Sequence, residues 1–270
     1  MPRRAAIVVL GALLALCLPG ASAAAPSRVL GGDVFTLTEP RGSGEDAKPA
    51  RFPLRQISGE RHLAELGLVG AQYNLGVMYA TNGRYEAAQH WYRKAALRGH
   101  REASYNLGLL LLVGQGGPRD EIRAVRWIDN AATRGLPEAH YLLGRLNYEG
   151  RGVARDPARE LEHYLKAAEA RYPLAQHDLA VLYHLGEGVA RDDVEAFAWF
   201  STADAGGFDS RDALAVIGAT LSPEQRAAAA ERAADLMARF ARRELPGSGG
   251  AAVHSRGPTE TRTSDDATRS

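Results

Sequence analysis

Cysteine is almost absent from this 270-residue chain, which has one, Cys17. A disulfide framework is therefore excluded, and any exported fold must hold by packing alone. Lysine is nearly missing as well: 3 lysines stand against 30 arginines, a bias that points to a GC-rich bacterial genome. Neither sign of charge is in excess, since Lys+Arg 33 and Asp+Glu 32 leave a formal net charge of +1. That balance lacks the basic footprint that phosphate contacts require, so no nucleic-acid partner is expected. Beyond the first two dozen residues no apolar run approaches the roughly 20 residues needed to span a bilayer.

The first residues read as an export address. Arg3 and Arg4 precede the apolar run Ala5 to Leu18, then Pro19 and Gly20, then the small residues Ala21, Ser22 and Ala23. This is the order of a secretory signal peptide over residues 1–23, with cleavage expected after Ala23. Cleavage would remove Cys17, Arg3 and Arg4, leaving 31 basic against 32 acidic residues, a formal charge of −1, and no membrane span in the mature chain. Residues 24–59 carry Gly31, Gly32, Gly42, Gly44, Pro40, Pro49 and Pro53 without a sustained apolar period, and read as a disordered linker. Residues 244–270, rich in Gly, Ser, Thr and Arg, read as a disordered tail.

Between these ends the chain aligns with itself. One helix of each block carries Ala71, Tyr73, Leu75 and Gly76, then Ala103, Tyr105, Leu107 and Gly108, then Ala139, Tyr141, Leu143 and Gly144, then Ala175, His177, Leu179 and Ala180. In the following helix Trp91, Trp127, His163 and Trp199 are each 36 residues apart. A fixed period of this length marks a helical repeat. Small residues at Ala71, Gly76 and Ala96 let two helix backbones approach, and Leu75, Trp91 and Tyr92 fill the space around them. The turns read Gly114, Gly116, Asp120; Gly150, Gly152, Asp156; and Gly186, Gly188, Asp192. Their glycines supply positive φ and their Asp an N-cap. Block one is four residues shorter here and turns at Asn82 and Gly83.

This pattern, a Leu-Gly helix, a Gly-x-Gly-Val-x-x-Asp turn and an Ala-x-x-Trp-x-x-x-Ala-Ala helix, resembles the Sel-one-like repeat, a longer-turn relative of the tetratricopeptide repeat. The match runs from about Val69 to Gly207. The resemblance implies an all-α fold, a right-handed α-solenoid of about four helical hairpins, and a non-catalytic role in scaffolding protein assembly. The solenoid unit is expected over residues 60–243, with Arg61 to Gly67 shielding the first hairpin. At the other end Ala213 to Ile217 pack on block four. A capping helix then starts at Ser222 and Pro223 and buries Ala229, Ala233, Leu236, Met237 and Phe240.

Catalytic constellations are scarce. Ser104, Tyr105 and Asn106 look like one motif of penicillin-recognising enzymes, but no serine in the chain is followed by lysine three residues on, so the activated nucleophile is missing. His177 and His184 share a helix face, yet they replace Tyr141 and Tyr148 in the repeat, and no His-Glu-x-x-His occurs. No catalytic residue, cofactor or metal site is expected. If the hairpins stack as tetratricopeptide units do, the first helices line a concave groove. Tyr73, Tyr105, Tyr141, Arg145, Tyr148, His177 and His184 are the expected protein-binding residues there, because aromatic and Arg side chains suit binding hot spots. The expected partner is an envelope protein or peptide, with a cell-wall polymer as a further candidate, and the expected location is the periplasm or outside the cell. A cell-wall or β-lactam-acting hydrolase and a polysaccharide-binding module are the alternatives.

Overall fold

The computed structural model describes residues 52–244. The expected signal peptide, the linker up to Arg51 and nearly all of the tail lie outside the described residues. Among the described residues there are eleven helices and no strand: α1 Leu54–Glu65, α2 Val69–Thr81, α3 Tyr85–Leu97, α4 Arg101–Val113, α5 Glu121–Thr133, α6 Pro137–Glu149, α7 Pro157–Glu169, α8 Pro173–Leu185, α9 Asp193–Ala205, α10 Arg211–Thr220 and α11 Pro223–Glu244. Helices α2/α3, α4/α5, α6/α7 and α8/α9 pair as four hairpins, and each hairpin's first helix also packs on the second helix of the hairpin before it. This is the all-α solenoid the repeat demands. None of these helices is long and apolar enough to cross a membrane.

Within a hairpin, a missing side chain on one helix receives a large one from the other. A Cβ on Gly76 would lie 2.5 Å from the Tyr92 ring, on Gly108 2.5 Å from Ile128, and on Gly144 2.6 Å from Tyr164. The fourth hairpin meets the same position with Ala180 and Phe200, both buried. Leu75, Leu107 and Leu179 are fully buried beside these contacts, as are Ala95, Ala131, Ala167 and Ala203 at the closest approach of the second helices.

The turn motif acts in two places. Its first glycine ends the first helix in the left-handed region, as at Gly150 with φ 68. Its Asp caps the next helix: Asp156 accepts hydrogen bonds from the backbone N–H of Ala158 and Arg159, both at 3.1 Å. Asp120 and Asp192 do the same for α5 and α9, whereas α3, after the shorter turn, starts at Arg84 without a side-chain cap.

The ends differ in detail from the sequence reading. Helix α1 begins at Leu54, inside the stretch read as linker, with the extended Pro53 as its N-cap residue. Phe52, just upstream, is held by Asn82, which accepts from its N–H at 2.9 Å and donates to its carbonyl at 3.1 Å. At the other end Ser222 and Gln225 form a reciprocal capping box that starts α11. That helix buries Ala229, Ala233, Leu236 and Phe240 against the last hairpin but leaves Met237 37% exposed. Arg232 ties it down with two hydrogen bonds to Glu195, at 2.8 and 2.9 Å, and Glu195 also accepts from the Trp199 indole at 2.9 Å.

Each second helix is followed by a residue with positive φ: Gly67, Gly99, Gly135, Arg171 and Gly207. Arg171, at φ 62, is the one non-glycine with positive φ among the described residues. The left-handed region costs an L-residue about 1–2 kcal/mol, of which glycine's extra unfolded-state freedom offsets about 0.4–1 kcal/mol. Arg171 is exposed, so Arg171→Gly is expected to stabilise the protein by about 0.5–1 kcal/mol, read as a rise in the urea midpoint at unchanged slope. An unchanged or lowered midpoint would show that contacts of the arginine side chain outweigh the backbone strain.

Candidate functional site

The first helices present the expected groove, and the structure divides its seven residues. Tyr73, Arg145, Tyr148 and His184 are half-buried. Tyr105, Tyr141 and His177 are packed inside the stack, at 2%, 0% and 6% exposure. The cause is the segment joining successive hairpins. Its last residue is His100, Leu136, Tyr172 or Phe208 in the four repeats, and it folds over the side chain two positions before the Leu-Gly leucine. Tyr73 stacks on His100 with ring centroids 4.4 Å apart. Tyr141 lies 5.3 Å from Tyr172 and 5.4 Å from Tyr164, and His177 lies 4.6 Å from Phe208 and 5.0 Å from Phe200. Tyr73 stays half-buried although His100 stacks on it.

The buried polar groups of Tyr141, His177 and Asp178 meet one another. The Tyr141 hydroxyl donates to the Asp178 carboxylate at 2.9 Å, and His177 Nδ1 sits 3.3 Å from the other oxygen. Burial first, then the Asp178 charge, pushes the Tyr141 hydroxyl far above its ordinary range. Burial and the neighbouring Glu138 raise Tyr172 to about 12. Near the rim, Arg145 pairs with Glu149 at 3.2 Å and the Arg155 guanidinium lies over the Tyr148 ring at 5.3 Å. His184 Nδ1 is 2.6 Å from Asp193, which also pairs with Arg191 at 2.8 Å. Burial works to raise Asp193, and these two partners overcome it and hold its carboxyl below the usual range.

A cavity of about 560 Å³ opens between α2, α4 and α6. Phe52, Tyr73, Val77, Met78 and Leu136 give it apolar walls, and Asn74, Arg101, Glu102 and Glu138 supply polar edges. One carboxylate oxygen of Glu138, Oε2, is buried without a hydrogen-bond partner. Sequence reasoning missed Glu138 because the residue occupies the first turn of α6, where an acidic side chain is ordinary helix-dipole chemistry.

Other chemistry-bearing residues have structural roles. Ser104 is fully buried, and its hydroxyl lies 3.0 Å from the Asn130 side-chain oxygen and 3.2 Å from the His100 carbonyl. Trp91 and Trp199 are buried and Trp127 is half-buried. Among the described residues no group of three or more His, Cys, Asp or Glu is placed to hold a metal ion. One pair does meet: His140 Nδ1 on α6 and His163 Nδ1 on α7 are 3.3 Å apart.

Comparison with known proteins places this architecture. The Sel1 repeat family model matches residues 69–100, 101–136, 137–172 and 173–203, one match per hairpin. The crystal structure of c5321, a protective antigen of uropathogenic Escherichia coli with an SLR fold, is similar at TM-score 0.63 and 28% identity, covering 80% of this chain and 47% of that one. A Sel1 repeat protein from Oxalobacter formigenes is similar at TM-score 0.54 and 31% identity, covering 56% of this chain and 64% of that one. Among curated proteins, DAP3-binding cell death enhancer 1 from Rattus norvegicus is 39% identical over 87 residues, and its Mus musculus counterpart 36%. These matches cover 32% of this chain and span 17% of the length of either relative. With one family match on each of its four hairpins, the chain belongs to the Sel1 repeat family.

Proposed function

We propose that this protein is a non-catalytic scaffold of the bacterial envelope that holds a protein or peptide segment against its first helices, with the cavity between α2, α4 and α6 as the main seat. Sel1 repeat proteins are generally protein-binding scaffolds, and the name of the rat and mouse relatives records a protein partner for them. The observation that carries the seat is the combination of apolar walls with the unpartnered Glu138 oxygen. A buried acceptor left unsatisfied costs about 1–3 kcal/mol, which a partner's donor recovers on binding. The occupant that suits this site is an apolar side chain flanked by Lys, Arg or an amide donor. Arg145, Tyr148 and His184 extend the contact surface along the groove. Export to the periplasm is part of this reading and rests on the charged, apolar and small-residue order of residues 1–23.

The test is crosslinking and co-purification from the envelope fraction. Tyr73→Ala combined with Glu138→Gln is expected to cut capture of the partner by about tenfold or more, the effect of losing a hot-spot contact. The melting temperature should fall by only about 2–4 °C, because Tyr73 is half-buried and Glu138 lies on a cavity wall. Capture at the wild-type level by a folded double variant would reject this seat.

A further inference from the structure

The third hairpin departs from the other three at two positions that face each other. Immediately after the first alanine of each first helix the chain carries Gln72, Ser104, His140 and Gln176, and at the repeated tryptophan position it carries Trp91, Trp127, His163 and Trp199. The other hairpins pair Trp with Gln or Ser, and hairpin three alone has histidine at both. The two rings turn the same atom toward each other, Nδ1 to Nδ1 at 3.3 Å, with centroids 5.5 Å apart and planes inclined at 35°. That separation admits a long N–H···N hydrogen bond whose donor depends on the tautomer. It equals the spacing of two nitrogens on one tetrahedral ion, since Zn–N bonds of about 2.0–2.1 Å at a tetrahedral angle put them about 3.3 Å apart.

We propose that His140 and His163 form a two-histidine site for a borderline divalent transition-metal ion, Zn²⁺ or Cu²⁺, with water completing the coordination. Both residues are half-buried, so an ion has access to them while helices α6 and α7 fix the rings. Asp129, on α5, and Glu162 add negative charge around the pair, and Lys166 opposes it while forming an ion pair with Glu162 at 2.6 Å. Two ligands give a weaker site than the three or four of resident zinc, which suits a sensor or a partner-completed site better than a structural one.

The experiment titrates tag-free full-length protein with ZnCl₂ and with CuSO₄ by calorimetry. One equivalent should bind saturably. His163→Trp and His140→Gln, which install the residues of the neighbouring hairpins, should each weaken binding at least ~10-fold. His177→Gln and His184→Gln should leave it unchanged. Imidazole NMR of the wild type on adding Zn²⁺ reads the site without any substitution, and the His140 and His163 signals should shift first. Absent saturable binding, undiminished binding in His163→Trp and His140→Gln, or histidine shifts elsewhere than this pair would each overturn the proposal.

Discussion

Gly152→Val is expected to destabilise the protein by roughly 2–5 kcal/mol and to loosen hairpin three from hairpin two. Gly152 has φ 69, and a Cβ there would lie 2.4 Å from the Glu121 carbonyl oxygen and 2.9 Å from Val125. The close neighbour is backbone at the start of α5, so it has no rotamer with which to retreat. Two costs therefore combine: a left-handed conformation for a β-branched residue, about 1–2 kcal/mol, and overpacking against a fixed neighbour, about 1–3 kcal/mol. The loop is also clamped to the same helix by Arg151, whose guanidinium donates to Glu121 at 2.8 Å. Gly150→Ala is the control, because Gly150 shares the positive φ, but its Cβ would meet nothing nearer than 3.6 Å. It should cost only the conformational part, about 1–2 kcal/mol. Urea denaturation of the two variants measures the difference. Equal losses would mean that the second glycine of the turn serves conformation alone and does not dock one repeat on the next.

That comparison also marks what the sequence made legible. Both glycines were visible as turn residues, but only the structure separates the one that ends its own helix from the one that lets a neighbouring backbone in. The hairpins were readable because small and large residues alternate at a fixed period, and packing between paired helices obeys the same period. The groove was harder to read. Tyr73, Tyr105, Tyr141 and His177 are equivalent in the repeat, yet three are buried and Tyr73 is half-buried. The series His100, Leu136, Tyr172 and Phe208 is legible in the sequence, but the packing of its aromatic members on Tyr73, Tyr141 and His177 is visible only in the structure. Glu138 recurs as Glu102, so its unpartnered oxygen leaves no mark in the sequence, whereas the His140–His163 pair breaks the repeat, and a reading that looks for what recurs passes over it.

Tyr141→Ala should cost about 3–5 kcal/mol, the usual loss for removing a large buried aromatic side chain, and a binding assay on that variant has to be read with this in view. The ring is fully buried between Tyr164 and Tyr172. Its hydroxyl, bonded to Asp178, joins the first helix of hairpin three to the first helix of hairpin four. Truncation thus leaves a cavity and strips the 2%-exposed Asp178 of its donor. Tyr148→Ala, at a half-buried ring under Arg155, should cost only about 1 kcal/mol. Tyr141→Phe keeps the shape and removes one hydrogen bond to a carboxylate, about 1.5–3 kcal/mol. If partner capture survives Tyr141→Phe but falls with Tyr148→Ala while the melting temperature drops by only about 2–4 °C, the rim of the groove carries recognition and Tyr141 sets the angle between hairpins. If Tyr141→Ala melts with the wild type, the ring is not part of the core, and it returns to the set of residues that touch a partner directly.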